Sequence, residues 1–242
     1  MQIRMSVSYI IAFLLLTVIM LELHEIVHIL VGRLICGCWG SRDFNVWSLC
    51  VECKLDNLSW LATLGGPVFS FAIMWLGMFW LSSPNSNIKA FGFSLIFANI
   101  PFGRISEVMK GAGDEMVVTR HLLKSHFSST QMVLICSGII LALGLPPIIK
   151  AFNILTNKNS WLYIIGFLTV PILFILIYIL IGMNSLLNTG FLSTIGIMGT
   201  PVLITFHTIV TMLIFLFLYK KIFLLNKGQT MINKTEYKAS LL

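Results

Sequence analysis

Residues 7–31 read VSYIIAFLLLTVIMLELHEIVHILV. A run of this length and apolarity is enough for a bilayer, which needs about 20 such residues in a helix. Set into its second half are Glu22, His24, Glu25 and His28. On an α-helix, residues four apart lie only ~40° apart around the axis, so His24 and His28 can present both imidazoles to one cation while Glu25 stands on the flank. The pentapeptide HEIVH thus has the spacing of a hydrolytic zinc site, two histidine ligands beside a general base. A carboxylate and two imidazoles inside hydrocarbon cost several kcal/mol unless they line a cavity or hold an ion. The bland alternative is a polar patch that hydrogen-bonds neighbouring helices.

Composition makes the membrane reading independent of the motif. Hydrophobic residues are 57% of the 242, charged residues 10%, and mean hydropathy is +0.94, outside the range of a soluble domain. The first run is too long and too polar at its end for a cleaved leader, and no small-x-small site follows it. The fold expected is an all-α polytopic membrane protein with about six transmembrane helices, at roughly 6–31, 58–82, 88–103, 131–149, 160–182 and 200–224. The third window is short and interrupted by Pro101, as in a half-span or a helix that ends within the membrane. Three regions follow: a core over 1–128, additional helices over 129–224, and a basic polar tail over 225–242.

With the N-terminus inside, nine Lys/Arg fall on the inner side and seven in the outer loops, a small bias toward a cytoplasmic C-terminal tail at the cell membrane. The net charge of +7 is scattered, which suits anionic lipid heads and not nucleic acid.

A hydrolytic zinc takes a third protein ligand and keeps a fourth position for water. Asp114, in Gly111-Ala112-Gly113-Asp114-Glu115, is the best-placed candidate, just past the broken third span. The same residue also fits the start of the helix that follows, where acidic residues are favoured. Glu22 shares the helix with Glu25 and is expected to orient a histidine from behind. Asn99 is a candidate contact to substrate or oxyanion, or a cap before Pro101. His207 reads as a helix–helix hydrogen-bond partner, His121 and His126 as surface residues.

Between the first two spans, residues 43–54 are rich in β-formers with partial alternation, a candidate β-hairpin at the membrane face. The same loop carries Cys36-Gly37-Cys38 and Cys50-Val51-Glu52-Cys53. Reduced thiols, disulfides facing an oxidising compartment and a second zinc site are all compatible with that spacing. Cys136, within a span, reads as a packing residue.

Over residues 8–125 the chain resembles the site-2 protease family of intramembrane zinc metalloproteases. HEIVH in the first core helix, Gly65-Gly66-Pro67 in the second span, and Asn99-Ile100-Pro101 followed by Gly113-Asp114 carry the likeness. It implies Zn2+ held by His24, His28 and Asp114, Glu25 as general base, membrane-protein substrates, and a membrane-dipping β element after the first span. The chain departs from the family pattern in having Glu115 where a glycine is usual and a proline two residues after Asn99, not three. A rival of another class is a non-catalytic scaffold or transporter on the same fold; the intact Glu25 and the bare later spans favour the enzyme. No motif speaks to the substrate's identity or to oligomeric state.

Overall fold

A computed structural model describes residues 1–226 apart from Arg4 and Leu55, so most of the expected tail, 227–242, lies outside the described residues. Helix α1 (Val7–Cys36) begins where the Ser6 hydroxyl accepts the Tyr9 amide, and ends at Gly37, whose φ of 75° needs no Cβ. α2 (Ser59–Trp80), α3 (Ser86–Ala98), α4 (Pro101–Met109), α5 (Asp114–Leu123) and α6 (Ser129–Asn153) follow. α7 (Ser160–Ile175) runs through a π-helical stretch (Leu176–Met183) into α8 (Asn184–Asn188), and α9 (Val202–Leu218) closes the bundle.

Five helical segments are long and apolar enough to cross a membrane: Val7–Cys36, Ser59–Trp80, Ser129–Asn153, Ser160–Asn188 and Val202–Phe223. The chain is a membrane protein on that composition. α1 is 56% buried over its most apolar window, against 22–28% for the last three segments, so it is the central helix and they form the apolar exterior. α1 packs chiefly on α2 and α9, and α2 on α3. At the last crossing a Cβ on Gly77 would meet the Gly92 carbonyl oxygen at 2.6 Å and one on Gly92 the Gly77 oxygen at 2.7 Å, so backbone touches backbone.

The third expected window is where the count of six changes. α3 stops at Ala98, Asn99 turns its side chain back to donate to the Leu95 carbonyl (2.8 Å), and Ile100 adopts the left-handed conformation (φ 51°, ψ 54°). Pro101 then starts α4 at the position where its missing N–H costs nothing. A β-branched residue in that region is strained, so the break is held by its surroundings.

The two ends of the bundle differ. At one end Met1 meets the Ile154 carbonyl, Asn157 pairs with Ile3, and Lys150 donates to Ser82 (2.6 Å). At the other lie the loop after α1, α5 and the 189–201 segment. α3 begins at the first end, and α5 starts beside α1's histidines toward the second.

The candidate β-hairpin is absent among the described residues: 37–58 forms no strand, only an isolated bridge between Arg42 and Trp47. Covalent and side-chain ties organise it in place of a ladder. Cys36–Cys53 and Cys38–Cys50 are disulfides, one nested inside the other, and the Asp43 carboxylate accepts the Asn45 and Val46 amides (2.7 and 2.6 Å) to fix the turn. The loop folds back along α1, reaching His28 and Glu22, eight and fourteen residues before Cys36, or ~12 and ~21 Å along the axis. It packs there on 189–201, where a Cβ on Gly199 would fall 1.9 Å from the Gly40 carbonyl oxygen.

Candidate metal centre

His24, Glu25 and His28 are 3%, 4% and 0% exposed on α1, their donor atoms within 4.8 Å of one another. Asp114 arrives from a different element. Gly111 (φ 76°) and Gly113 (φ 86°) turn the chain after α4 so that α5 opens with Asp114, whose carboxylate points back at α1. His24 Nε2 and His28 Nε2 are 3.0 Å apart, and Asp114 Oδ2 is 3.2 Å from each. Three donor atoms this close together, two imidazole nitrogens and a carboxylate oxygen, would hold a divalent cation of the kind zinc sites bind.

The ring hydrogens can be placed from the partners. His28 Nδ1 lies 2.7 Å from the Ala62 carbonyl, which only accepts, so Nδ1 donates and Nε2 offers its lone pair to the cluster. His24 Nδ1 has the Ser70 hydroxyl at 3.1 Å and an Arg104 guanidinium N–H at 2.9 Å. A guanidinium N–H only donates, so Nδ1 accepts from Arg104 here; a metal on His24 Nε2 would need the hydrogen on Nδ1, with Ser70 as its acceptor. Arg104 then keeps Ser70 (2.9 Å) and Glu115 (3.4 Å) as acceptors of its own.

α2 makes room for this cluster at one residue. A Cβ on Gly66 would lie 2.3 Å from His28 Nε2 and 2.6 Å from His24 Cε1, closer than any side chain tolerates. Gly65, its neighbour, meets only Val27 and Val31. On the far side the Trp47 indole stacks on the His28 ring, centroids 5.0 Å apart and planes within 12°. The open flank is at Asp114, whose side chain is 31% exposed.

Glu25 sits beside the metal position with Oε2 buried and without a hydrogen-bond partner. A buried acceptor left free is costly unless something fills the place, and a water between the carboxylate and a cation would do so. Two nitrogens, a carboxylate oxygen, a glycine notch and an unpartnered base together fit a borderline divalent cation.

Two expected contacts take other partners. Glu22 does not orient a histidine: its hydrogen bonds go to Arg42 (2.7 Å) and Thr208 (3.0 Å), and Arg42 also donates to Thr200 (3.2 Å). Both members of that ion pair are 3% exposed, so Glu22 anchors the loop to α1 and α9. The placement follows from the helix, since Glu22 points well away from the side that His24 and His28 share. Asn99 gives one amide N–H to the Leu95 carbonyl (2.8 Å), the contact of a cap before Pro101, and its buried Oδ1 has no hydrogen-bond partner. His207 pairs with the Tyr178 hydroxyl (3.0 Å), His121 stacks on Trp60, and Cys136 is buried among Met116 and Met132.

Sequence reasoning missed Ser70, Arg104, Trp47 and the Ala62 carbonyl. Ser70 alone had a signal, standing four residues after Gly66 on the face of α2 that meets the histidines. Set against protein-family models, curated proteins and solved structures, the chain matches none.

Proposed function

We propose that the chain is an intramembrane zinc metalloprotease, similar to the site-2 protease family, that hydrolyses peptide bonds within or next to transmembrane segments of substrate proteins. One observation carries this reading: His24 Nε2, His28 Nε2 and Asp114 Oδ2 converge at 3.0–3.2 Å beside a buried, unpartnered Glu25 carboxylate oxygen. A structural polar patch has no use for a free base next to three converging donors, and neither has a binding scaffold.

His24, His28 and Asp114 would hold the metal. When bound, zinc supplies a Lewis acid that acidifies water and polarises the scissile carbonyl. Glu25 takes the proton of the attacking water and returns it to the departing amine, so one water is consumed and the proton balance closes. His28 keeps its ring orientation through Ala62 and His24 through Ser70. The substrate helix must unwind to expose the carbonyl, because its own hydrogen bonds cover it.

The α3–α4 pair serves as a sixth, broken crossing, which puts both ends of the chain on one side. The disulfide-bonded loop belongs to an oxidising compartment, so the tail is cytoplasmic and the cell membrane is the setting.

The test uses the full chain and Glu25→Gln in detergent or liposomes, with zinc measured by mass spectrometry and cleavage followed on model transmembrane peptides. Zinc in both, with cleavage only by the unchanged chain, is the expected result. Absence of zinc, or cleavage untouched by the substitution, overturns the proposal.

A further inference from the structure

Among its described residues the loop 37–58 has no strand or helix beyond a single 3-10 turn, yet it delivers a large aromatic onto a metal-ligand candidate. A stack at 5.0 Å and 12° fixes the one freedom that the His28 Nδ1–Ala62 bond leaves, rotation of the ring about the line through Cβ and that bond. His24 stands edge-on to the same ring (4.6 Å, 88°), so His28 is held on one face by indole and along its edge by imidazole.

The position of Trp47 is itself over-determined. Cys38–Cys50 closes the loop nine residues before and three after the indole, Cys36–Cys53 closes it again outside, and Arg42, bridged to Trp47, is tied to Glu22. Neither stacking nor bridge is a requirement of helix packing, because α1 and α2 already meet through Gly65 and Gly66.

We propose that Trp47 is a positioning residue for the metal centre, and that the two nested disulfides exist to set it against His28. The inference rests on the metal site proposed above, but its readout is metal binding and not proteolysis. Loss of a group that orients a ligand from outside the coordination shell lowers metal affinity by about 10- to 100-fold. Loss of the disulfides acts through the same ring, so the two effects do not add.

The experiment loads the full-length protein with Co2+, whose visible absorption reports ligand geometry, and follows its release to a chelator. Trp47→Ala is expected to alter the band and to speed release about tenfold, with Trp47→Phe restoring both by keeping an aromatic face. Paired Cys38→Ser and Cys50→Ser are expected to speed release in the unchanged background and to add nothing in Trp47→Ala. Thermal melting of each variant separates this from general unfolding, which Trp47→Phe also controls. Release from Trp47→Ala at the unchanged rate overturns the inference, as does an equal acceleration by the cysteine pair in both backgrounds. Failure of the unchanged chain to take up Co2+ refutes the metal centre itself and this inference with it.

Discussion

The Gly66→Ala substitution tests the site at its tightest point. The added methyl would sit 2.3 Å from His28 Nε2 and 2.6 Å from His24 Cε1 and His28 Cε1. Ordinary contacts between such atoms need about 3.5 Å, so ~1 Å must be found. His28 has nowhere to give it, held by the Ala62 carbonyl at 2.7 Å and by the Trp47 face. A metal site tolerates ligand displacements of only ~0.2 Å, so a shift of ~1 Å removes at least one ligand in effect. Overpacking costs typically ~1–3 kcal/mol, while exchanging glycine for alanine inside a helix returns up to ~1 kcal/mol, so the fold survives. The expected outcome is a chain that still folds, its melting temperature lowered by no more than a net cost of ~2 kcal/mol implies, with metal affinity lower by about 10- to 100-fold, the loss that follows when a ligand's orientation is disturbed. Gly65→Ala is the matched control: its Cβ meets Val31 Cγ2 at 3.1 Å and Val27 Cγ1 at 3.2 Å, both on side chains able to yield by tenths of an ångström. Co2+ or Zn2+ titration of both variants decides. If Gly66→Ala binds metal like the unchanged chain, or if the two variants are indistinguishable, the notch is not part of a metal centre.

Glu25→Gln is expected to retain metal and to lose cleavage by roughly 100- to 10,000-fold, the range for removal of a general base, in an assay on transmembrane peptides. Asp114→Asn keeps the shape of the third ligand but halves its donor capacity and removes its charge, so bound zinc per chain drops while α5 still forms by circular dichroism. Glu22→Gln leaves Arg42 buried with a neutral partner and is expected to lower stability by about 3–5 kcal/mol, with much of that recovered when Arg42→Met is added; chemical or thermal unfolding of the two variants checks it. Intact-mass measurement after alkylation without reductant is expected to find Cys136 as the single free thiol among the described residues, with the other four cysteines paired.

The meeting of His24 and His28 was readable because both imidazoles share a helix, and helical geometry alone sets how residues four apart relate. Asp114 was reachable for a different reason: glycines at 111 and 113 announce a reversal of chain beside a proline-broken helix. What stayed hidden comes from contacts between elements. Arg104 and Ser70 reach His24 from α4 and α2, and Trp47 reaches His28 across a loop, with no periodicity that encodes any of them. Residues 43–54 misled because β-formers need a partner strand to become a strand, and here disulfides and the Arg42–Glu22 pair take the place of a ladder. The break in the third apolar window was legible from Pro101, but the left-handed turn at Ile100 that re-aims α4 was not, because averaged hydropathy carries no backbone conformation.

That left-handed residue and the glycine turn after α4 solve one geometric problem together. His28 and His24 lie ~12 and ~18 Å from the end of α1, below the level where loops usually run, and the third donor must reach them there. A straight helix from Ser86 onward would carry its side chains past the cluster at a fixed 1.5 Å per residue and could place one carboxylate only by committing its whole face to α1. Breaking the helix at Asn99-Ile100 re-aims α4, and the turn through Gly111 and Gly113 brings Asp114 in from the side at the start of α5. The consequence is an asymmetry in the site. Its two nitrogens are sealed against α2 and Trp47, and its oxygen donor stands on the 31% exposed flank. The two imidazoles are on the central helix and the accessible carboxylate is on the short helix, the arrangement that the proposed metalloprotease would need to keep a metal and still admit a chain.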